Sequence, residues 1–515
     1  MNDLNINDGE FSKNELQAVK KQLKEGKQSG PDNISPAVIK RCDLDDIVLN
    51  FANRLINDEL KPDQWSMIDL IPIPKSGDLS NVCNYCGISL SSVVAKVVNK
   101  MILHRLLDKI DINLRPNQNG FRPGKSTIAH ILALRRLIEE VKSHSRKAII
   151  IFVDFKKAFD SVNRREMLRI FKAYNIPSRL LMAIEKLYEN TQARVITPDG
   201  ETTFFKVLAG VLQGDTLAPY IFAIILDYVM RKTYSGREAD LGFQLVKQRS
   251  RRHPAITVTD LDFADDIALL TEEIHQAQEV LLRLEEEAQK VGLFCNEKKT
   301  ELQVFNHEIP VEITTKSDKL LKVVDNFRYL GSWTQSTSKD FEVRKALAWN
   351  VCHKMRKIWK SSFKRKMKVH LFVFTVESVL LYGAETWTLT SALTKQLDGC
   401  YTRMLRMALD IPWQSHTTNV ELYGDLPKVS DKVRQQRMRI SGHCIRHQEE
   451  IASQLVLWQP TGHRRKRGRR ALTYIDVLMN DTGMENVSEL RAVMLDRDGW
   501  KSHVLNVGRP GGRPK

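Results

Sequence analysis

The segment that most limits what this chain can become is Thr259-Asp260-Leu261-Asp262-Phe263-Ala264-Asp265-Asp266-Ile267-Ala268-Leu269-Leu270, where two adjacent carboxylates stand between two apolar arms. If it runs as one extended segment, Leu261, Phe263, Asp265, Ile267 and Leu269 share a face, which sets Asp265 among buried neighbours. A buried carboxylate either takes up a proton or acquires a positive partner. No Lys or Arg lies between His253 and Leu282 to supply one locally, and a divalent cation would do so. Asp-Asp also suits a hairpin turn with no chemistry attached, so the rest of the chain has to decide.

The 515 residues suffice for roughly three domains, and a hydrophobic share of 42% supports a sizeable core. A formal net charge of +17 implies a polyanionic partner, nucleic acid before an anionic membrane surface. Seven scattered cysteines, Cys42, Cys83, Cys86, Cys295, Cys352, Cys400 and Cys444, with no secretory signal before them, point to a reducing compartment: nucleus or cytoplasm, not secretion. Cys83-x-x-Cys86 is half a zinc site, but no second CxxC or HxxxH follows at finger spacing, so zinc is not expected. The most apolar runs, Ala148–Val153 and residues 217–226, are too short to span a bilayer, so no membrane partner is expected.

Along the chain, Ser12-Lys13-Asn14-Glu15 has the form of a capping box and opens a helix through Leu16, Val19 and Leu23. Ile47, Val48, Phe51, Leu55 and Ile56 trace a second helix. Residues 65–74 read as a strand, followed by a Lys75-Ser76-Gly77-Asp78 loop whose lysine either contacts phosphate or is simply solvated. Val93, Val94, Val97, Val98, Met101, Ile102 and Leu106 fit a helix with one buried face. The glycine-rich basic loop 118–126 can cradle phosphate but lacks Walker spacing, and residues 128–141 are helical again.

Ala148–Val153 is a continuous apolar run, as expected of a strand buried on both faces, and it ends at Asp154. That carboxylate is either a strand-end cap or part of a site. Asn163 with Glu166 starts the next helix, and residues 204–211 read as a strand broken by Leu212-Gln213-Gly214-Asp215. Gly214 allows close approach of a ligand to the backbone, and Gln213 carries a donor and an acceptor. Residues 231–252 are polar and read as an exposed insertion; residues 274–291 form a long amphipathic helix ended by Gly292.

Asn296-Glu297-Lys298-Lys299-Thr300 leads into a strand at Glu301–Phe305, and the aromatic and basic stretch 327–332 closes this half. Beyond Gly331 strands give way to helix-period stretches at 341–359, 369–382 and 393–408, with basic residues crowding 360–368. The basic run 463–470 suits nucleic-acid contact, nuclear import or a solvated tail, and the terminal residues 508–515 are expected to be disordered.

Asp154 at the end of a buried strand and Asp265 with Asp266 in a hairpin converge if their strands are neighbours in one sheet. Acidic clusters inside a cationic protein need cations of their own, and oxygen-only ligands select Mg²⁺ or Mn²⁺. Two such ions would stabilise the attacking and leaving oxygens of a phosphoryl transfer, which is nucleotidyl-transfer chemistry.

Val153-Asp154-Phe155-Lys156-Lys157-Ala158-Phe159-Asp160, Gly210-Val211-Leu212-Gln213-Gly214-Asp215, Phe263-Ala264-Asp265-Asp266 and Asn296-Glu297-Lys298-Lys299-Thr300 resemble the successive palm motifs of reverse transcriptases, in the right order. Their form is similar to the non-LTR (LINE-type) retrotransposon enzymes, with support from Ile71-Pro72-Ile73-Pro74-Lys75-Ser76-Gly77-Asp78, Asn84-Tyr85-Cys86-Gly87-Ile88-Ser89-Leu90, Gly120-Phe121-Arg122, residues 327–331 and Leu381-Tyr382-Gly383-Ala384-Glu385-Thr386-Trp387. The resemblance implies an α+β right-hand polymerase that copies RNA into DNA: fingers and palm with an antiparallel sheet, then an α-helical thumb and C-terminal region. Its divisions would be a helical N-terminal extension (1–54), a fingers/palm domain (55–331), a helical thumb/connection region (332–460) and a basic C-terminal tail (461–515).

By the same resemblance Asp154, Asp265 and Asp266 hold Mg²⁺ or Mn²⁺, and Lys299 donates a proton to leaving pyrophosphate. Phe155, Phe159, Gln213, Gly214 and Lys75 meet the incoming deoxynucleotide, with Phe159 the steric gate against a ribose 2′-hydroxyl and Lys75 at the triphosphate. Phe327, Tyr329, Leu330 and Gly331 grip the DNA primer, and the basic helices after them track the template–primer backbone. Where the family pattern has Arg after Asn-Tyr, this chain has Cys86, losing a phosphate-contacting cation. The chain starts just before the polymerase region, which leaves three expectations open: a fragment that lacks the family's upstream endonuclease, a degenerate copy, or reliance on a separate endonuclease. The competing expectation is a catalytically inactive, retrotransposon-derived nucleic-acid-binding protein.

Overall fold

A computed structural model of the chain describes residues 4–506 apart from residues 76, 249, 251, 253, 254, 461–464 and 466–469. Ser76 of the Lys75 loop, most of the basic run 463–470 and the terminal stretch 508–515 lie outside the described residues.

The strand Ala148–Val153 organises the molecule. It is flanked on one side by the strand Asp266–Thr271, with Ile267 opposite Val153, and on the other by Glu301–Phe305, with Leu302 opposite Ile151; both pairings are antiparallel. Asp260–Phe263 and Lys322–Val323 complete the two edges of a five-stranded sheet. Successive side chains of a strand point to opposite faces, and the two faces of this sheet close two different cores. Ile149, Ile151 and Val153 pack with the helices Lys13–Gln22, Asp45–Ile56, Val93–Ile110 and Ala218–Tyr234. Ile150 and Phe152 pack with the helix Thr127–Ser143 and with helices near the C-terminus. All six residues of the strand are buried, as an unbroken apolar run predicts.

A second sheet is built on Met67–Pro74, antiparallel to Tyr85–Leu90 and parallel to Gln192–Thr197. After Ser332–Trp333 the described residues form helices, among them Thr337–Lys354, Arg365–Phe372 and Ser391–Ala408 around a third core that includes Trp359 and Trp387. The chain is thus a mixed α/β fold with a helical second half. Local capping is as read: Ser12 and Glu15 form the capping box, and the Asn163 side chain accepts from the amides of Arg165 and Glu166.

Four expectations are corrected. The segment 259–270 is not one extended strand: it turns at Ala264-Asp265, with Asp266 opposite Phe263, so the supposed common face is interrupted. The strand expected over 204–211 is confined to Phe205–Lys206, because Gly210 adopts φ +87 and packs against the backbone of Asp160. The supposed insertion 231–252 contains the strand Phe243–Val246, paired with Ile256–Val258, and buries Phe243 and Leu245. Within the stretch expected as a basic tail, Tyr474–Thr482, Val487–Leu495 and Arg497–Asn506 are helices, and Tyr474, Leu490 and Trp500 lie in the second core.

Candidate active site

Asp154 follows the last residue of the central strand. The Ile267–Val153 pairing sets Asp266 at the next position of the register, across from Asp154. Both line a cavity of about 390 Å³ together with Lys298, Lys299, Glu301, Phe327, Arg328 and Tyr329. Residues far apart in sequence thus meet because three strands are neighbours in one sheet.

The Asp154 carboxylate accepts from Asn296 Nδ2 at 2.9 Å, and Lys299 Nζ stands 3.7 Å from the same oxygen. Asn296 and Lys299 are presented by a turn tied to the strand end, since the Asn296 amide donates to the Asp154 carbonyl at 2.7 Å. Desolvation, the fields of Asp265 and Asp154, and only a partial offset from Lys299 push the Asp266 carboxyl up to about 6. The Asp265 carboxyl is also raised, first by desolvation and then by Asp154. Lys299 is the cation whose charge offsets Asp265 and Asp266, yet both carboxyls stay raised, and oxygen donors in that state suit a divalent cation.

The three carboxylates are not drawn into a tight knot. Among the described residues, the one set of three potential ligands within 4.8 Å of one another is His447, Glu449 and Glu450. There Lys125 already serves as the cation, pairing with Glu450 at 2.9 Å and Glu449 at 3.7 Å. Lys125 is therefore locked into the second core's periphery, and the loop 118–126 does not present it to phosphate.

The residues expected at the nucleotide separate into two groups. Gln213 is placed by backbone pairing of its carbonyl with the Ser89 amide at 2.6 Å, and its Nε2 donates to Asp160 at 3.3 Å. Lys75 is exposed, and its charge, like that of Lys157, acts on the Asp160 carboxylate. The half-buried Phe159 ring stacks on Phe222 with centroids 4.7 Å apart. Phe155, in contrast, is 5% exposed and packs in the first core, which leaves its ring unavailable to a nucleotide. Gly214 does need its freedom, at φ +111, but what approaches it closely is the Ser89 carbonyl of the chain itself.

Arg328–Tyr329 and Ser332–Trp333 pair across a two-residue turn at Leu330 (φ +46) and Gly331 (φ +80). Positive φ at both turn residues matches the twist of a tight hairpin. Phe327 stacks on Phe152 at 3.9 Å, and the Tyr329 hydroxyl donates to the Leu261 carbonyl at 2.9 Å, so this hairpin is fastened to the acidic strands. Tyr382 donates to the Leu330 carbonyl at 2.8 Å and Arg344 to that of Gly331, joining it to the helical half.

Sequence reasoning missed Asn296, which had no signal beyond its place in the motif with Lys299, and Gln118, whose partner Ala264 is 146 residues away.

The profile of the family described as "Reverse transcriptase (RNA-dependent DNA polymerase)" matches residues 73–334. The chain is 24% identical over 372 residues to a retrovirus-related Pol polyprotein from a type-1 retrotransposable element R2 of Popillia japonica, covering 70% of this chain and 50% of the relative. It is 23% identical to a probable RNA-directed DNA polymerase from transposon BS of Drosophila melanogaster (87% and 50% covered) and 24% identical to the RNA-directed DNA polymerase from mobile element jockey of Drosophila funebris (89% and 50%). It spans about half the length of these relatives. With the motifs in order, the profile across half its length and relatives of this kind, the chain belongs to the reverse transcriptase family, in its non-LTR retrotransposon branch.

Proposed function

We propose that this chain is an RNA-directed DNA polymerase of a non-LTR retrotransposon, adding deoxynucleotides to a DNA primer 3′-hydroxyl opposite an RNA template. The observation that carries the reading is the register of Asp154 against Asp266 on adjacent antiparallel strands, at a cavity shared with Lys299 and the Phe327–Tyr329 segment. Asp154, Asp265 and Asp266 would hold Mg²⁺ or Mn²⁺, which when bound supplies Lewis-acid polarisation of phosphoryl oxygens and charge stabilisation. Lys299, largely exposed and with its Nζ 3.7 Å from Asp154, stands where it can donate to a leaving pyrophosphate.

Gln213, Phe159 and Lys75 bound the nucleotide's side of the site, and the 327–331 hairpin bears on the primer. In this reading the chain divides near residues 54, 331 and 460 into an N-terminal extension, fingers/palm, thumb and a C-terminal region. The exposed Lys354, Lys357, Lys360, Lys364 and Lys366 of the helical half, with the exposed Phe363 and Met367 among them, suit a duplex backbone. Nucleus or cytoplasm is the expected location; among the described residues no helix is long and apolar enough to cross a membrane.

Primer extension on an RNA template with Mg²⁺ tests the reading: Asp265→Asn should lower extension by about 10³-fold or more, a loss of several kcal/mol of transition-state stabilisation. Equal extension by both proteins ends it. Cys86, in place of the arginine of the family pattern, favours the second reading, an inactive nucleic-acid-binding protein. Salt-dependent RNA binding without incorporation, unrescued by Cys86→Arg, would select that one.

A further inference from the structure

We infer that Gln118 is the positioning residue of the acidic turn: it holds the backbone of Ala264 in a left-handed conformation and thereby sets where Asp265 and Asp266 present their carboxylates. Ala264 has φ +55 at the first position of the two-residue turn, a place where glycine is the unstrained choice. Something must hold a side-chain-bearing residue there. Gln118 Oε1 accepts from the Ala264 amide at 2.9 Å, and Gln118 Nε2 donates to the Ala264 carbonyl at 3.2 Å. A single carboxamide thus takes both backbone polar groups of the strained residue, as a strand partner would.

The clamp is itself built in. Gln118 is 1% exposed, and its Oε1 also accepts from the Gly120 amide at 2.6 Å, which fixes the amide orientation. Segment 117–119 runs along the outer edge of Asp260–Phe263: the Asp262 amide donates to the Asn117 carbonyl and the Asn119 amide to the Asp262 carbonyl, each at 2.9 Å. Any Cβ at residue 120 would overlap the Ala264 amide nitrogen, so Gly120 is what lets the loop lie this close. The loop that resembles a phosphate cradle in sequence therefore serves the acidic turn instead.

This inference rests on the metal-holding reading of the aspartates, and the test separates the two. Mn²⁺ binding to the full chain is measured by electron paramagnetic resonance, without nucleotide or primer, for wild type, Asp265→Asn, Gln118→Glu, Gln118→Met and Ala264→Gly, with circular dichroism reporting the folded fraction. Wild type should bind Mn²⁺ and Asp265→Asn should not; failure of that comparison overturns the metal reading itself. Given that result, Gln118→Met should bind Mn²⁺ at least about 10-fold more weakly per folded molecule. Gln118→Glu should also bind more weakly, because it keeps the acceptor for the Ala264 amide and loses the donor to its carbonyl. Adding Ala264→Gly to Gln118→Met should recover part of the loss, since glycine accepts the turn unaided. Wild-type affinity in folded Gln118→Met or Gln118→Glu overturns the inference. So does a lower thermal midpoint with unchanged affinity, the signature of a merely structural contact.

Discussion

The thiol of Cys86 donates to Oε1 of Gln213 at 3.1 Å, while Nε2 of the same amide donates to Asp160 at 3.3 Å. Held at both ends, the Gln213 side chain has one orientation. A thiol is a weak, uncharged donor, so Cys86 can aim Gln213 but brings no charge of its own. Cys86→Ala should raise KM for deoxynucleotides by roughly 2–10-fold with kcat little changed, the worth of one net hydrogen bond. Cys86→Ser, which keeps the donor, should stay within about twofold of wild type. Steady-state primer extension at varied nucleotide concentration measures both, and equal KM values for Ala and Ser would mean that the thiol aims nothing.

Phe159 is held from two sides, stacked on Phe222 at 4.7 Å and met edge-on by Phe121 at 6.0 Å. A ring fixed in this way makes a wall that does not swing aside for an extra hydroxyl. Phe159→Val should therefore raise the ratio of ribonucleotide to deoxynucleotide kcat/KM by about 10–100-fold, the usual range for discrimination by a few carbon atoms. Competition between the two nucleotide types on one template reads this directly. An unchanged ratio would remove Phe159 from the gate.

Trp500 lies in the stretch that reads as a basic tail, yet it is 2% exposed, and its Nε1 donates to the Met438 carbonyl at 2.8 Å. It covers Gly442, where no Cβ would fit. Its core is continuous with Ile150 and Phe152 of the central strand, so the end of the chain supports the strand that carries Asp154. Trp500→Ala should cost about 3–5 kcal/mol of stability, measured by urea unfolding, with loss of the acidic site's Mn²⁺ binding at denaturant concentrations that wild type tolerates. A loss below about 1 kcal/mol would mean that the C-terminal helices only rest on the surface.

What could be read in advance was what the chain writes locally. Ala148–Val153 announces itself as six apolar residues in a row, and Ser12 with Glu15, or Asn163 with the amides it caps, needs no partner from elsewhere. The acidic motifs were legible for the same reason. What stayed hidden depends on contacts between distant residues: Gln118 with Ala264, Lys125 with Glu450 across 325 positions, and Trp458 Nε1 donating to Leu245 at 3.1 Å. Phe243 and Leu245 fall in a short Phe-Gln-Leu-Val run inside a polar and basic stretch, and only the second core makes that run a buried strand. Phe155 shows how far a side chain's direction escapes the motif. Its place beside Asp154 invites a role at the nucleotide, but the neighbouring side chain of an extended segment turns to the opposite face and so into the core.

His130 supplies the pH dependence. It stands on the helix Thr127–Ser143, 1% exposed, with Nδ1 lacking a hydrogen-bond partner. Burial pushes its imidazole down to about 3; Asp260 opposes this and Lys125 adds to it. The unfolded chain binds a proton at this residue near pH 6.5 while the folded one does not, so the stability it confers is fully present above that pH. It is lost as pH falls from about 6.5 toward 3, at up to about 1.4 kcal/mol per pH unit, or about 2 kcal/mol by pH 5. His130→Leu keeps the side chain apolar at every pH and should flatten that part of the profile. Urea midpoints at pH 7, 6 and 5 for both proteins provide the check: the wild-type curve should fall away from the variant's below pH 6.5. Parallel curves would show that the folded and unfolded chains take up this proton alike, so that burial does not hold His130 neutral.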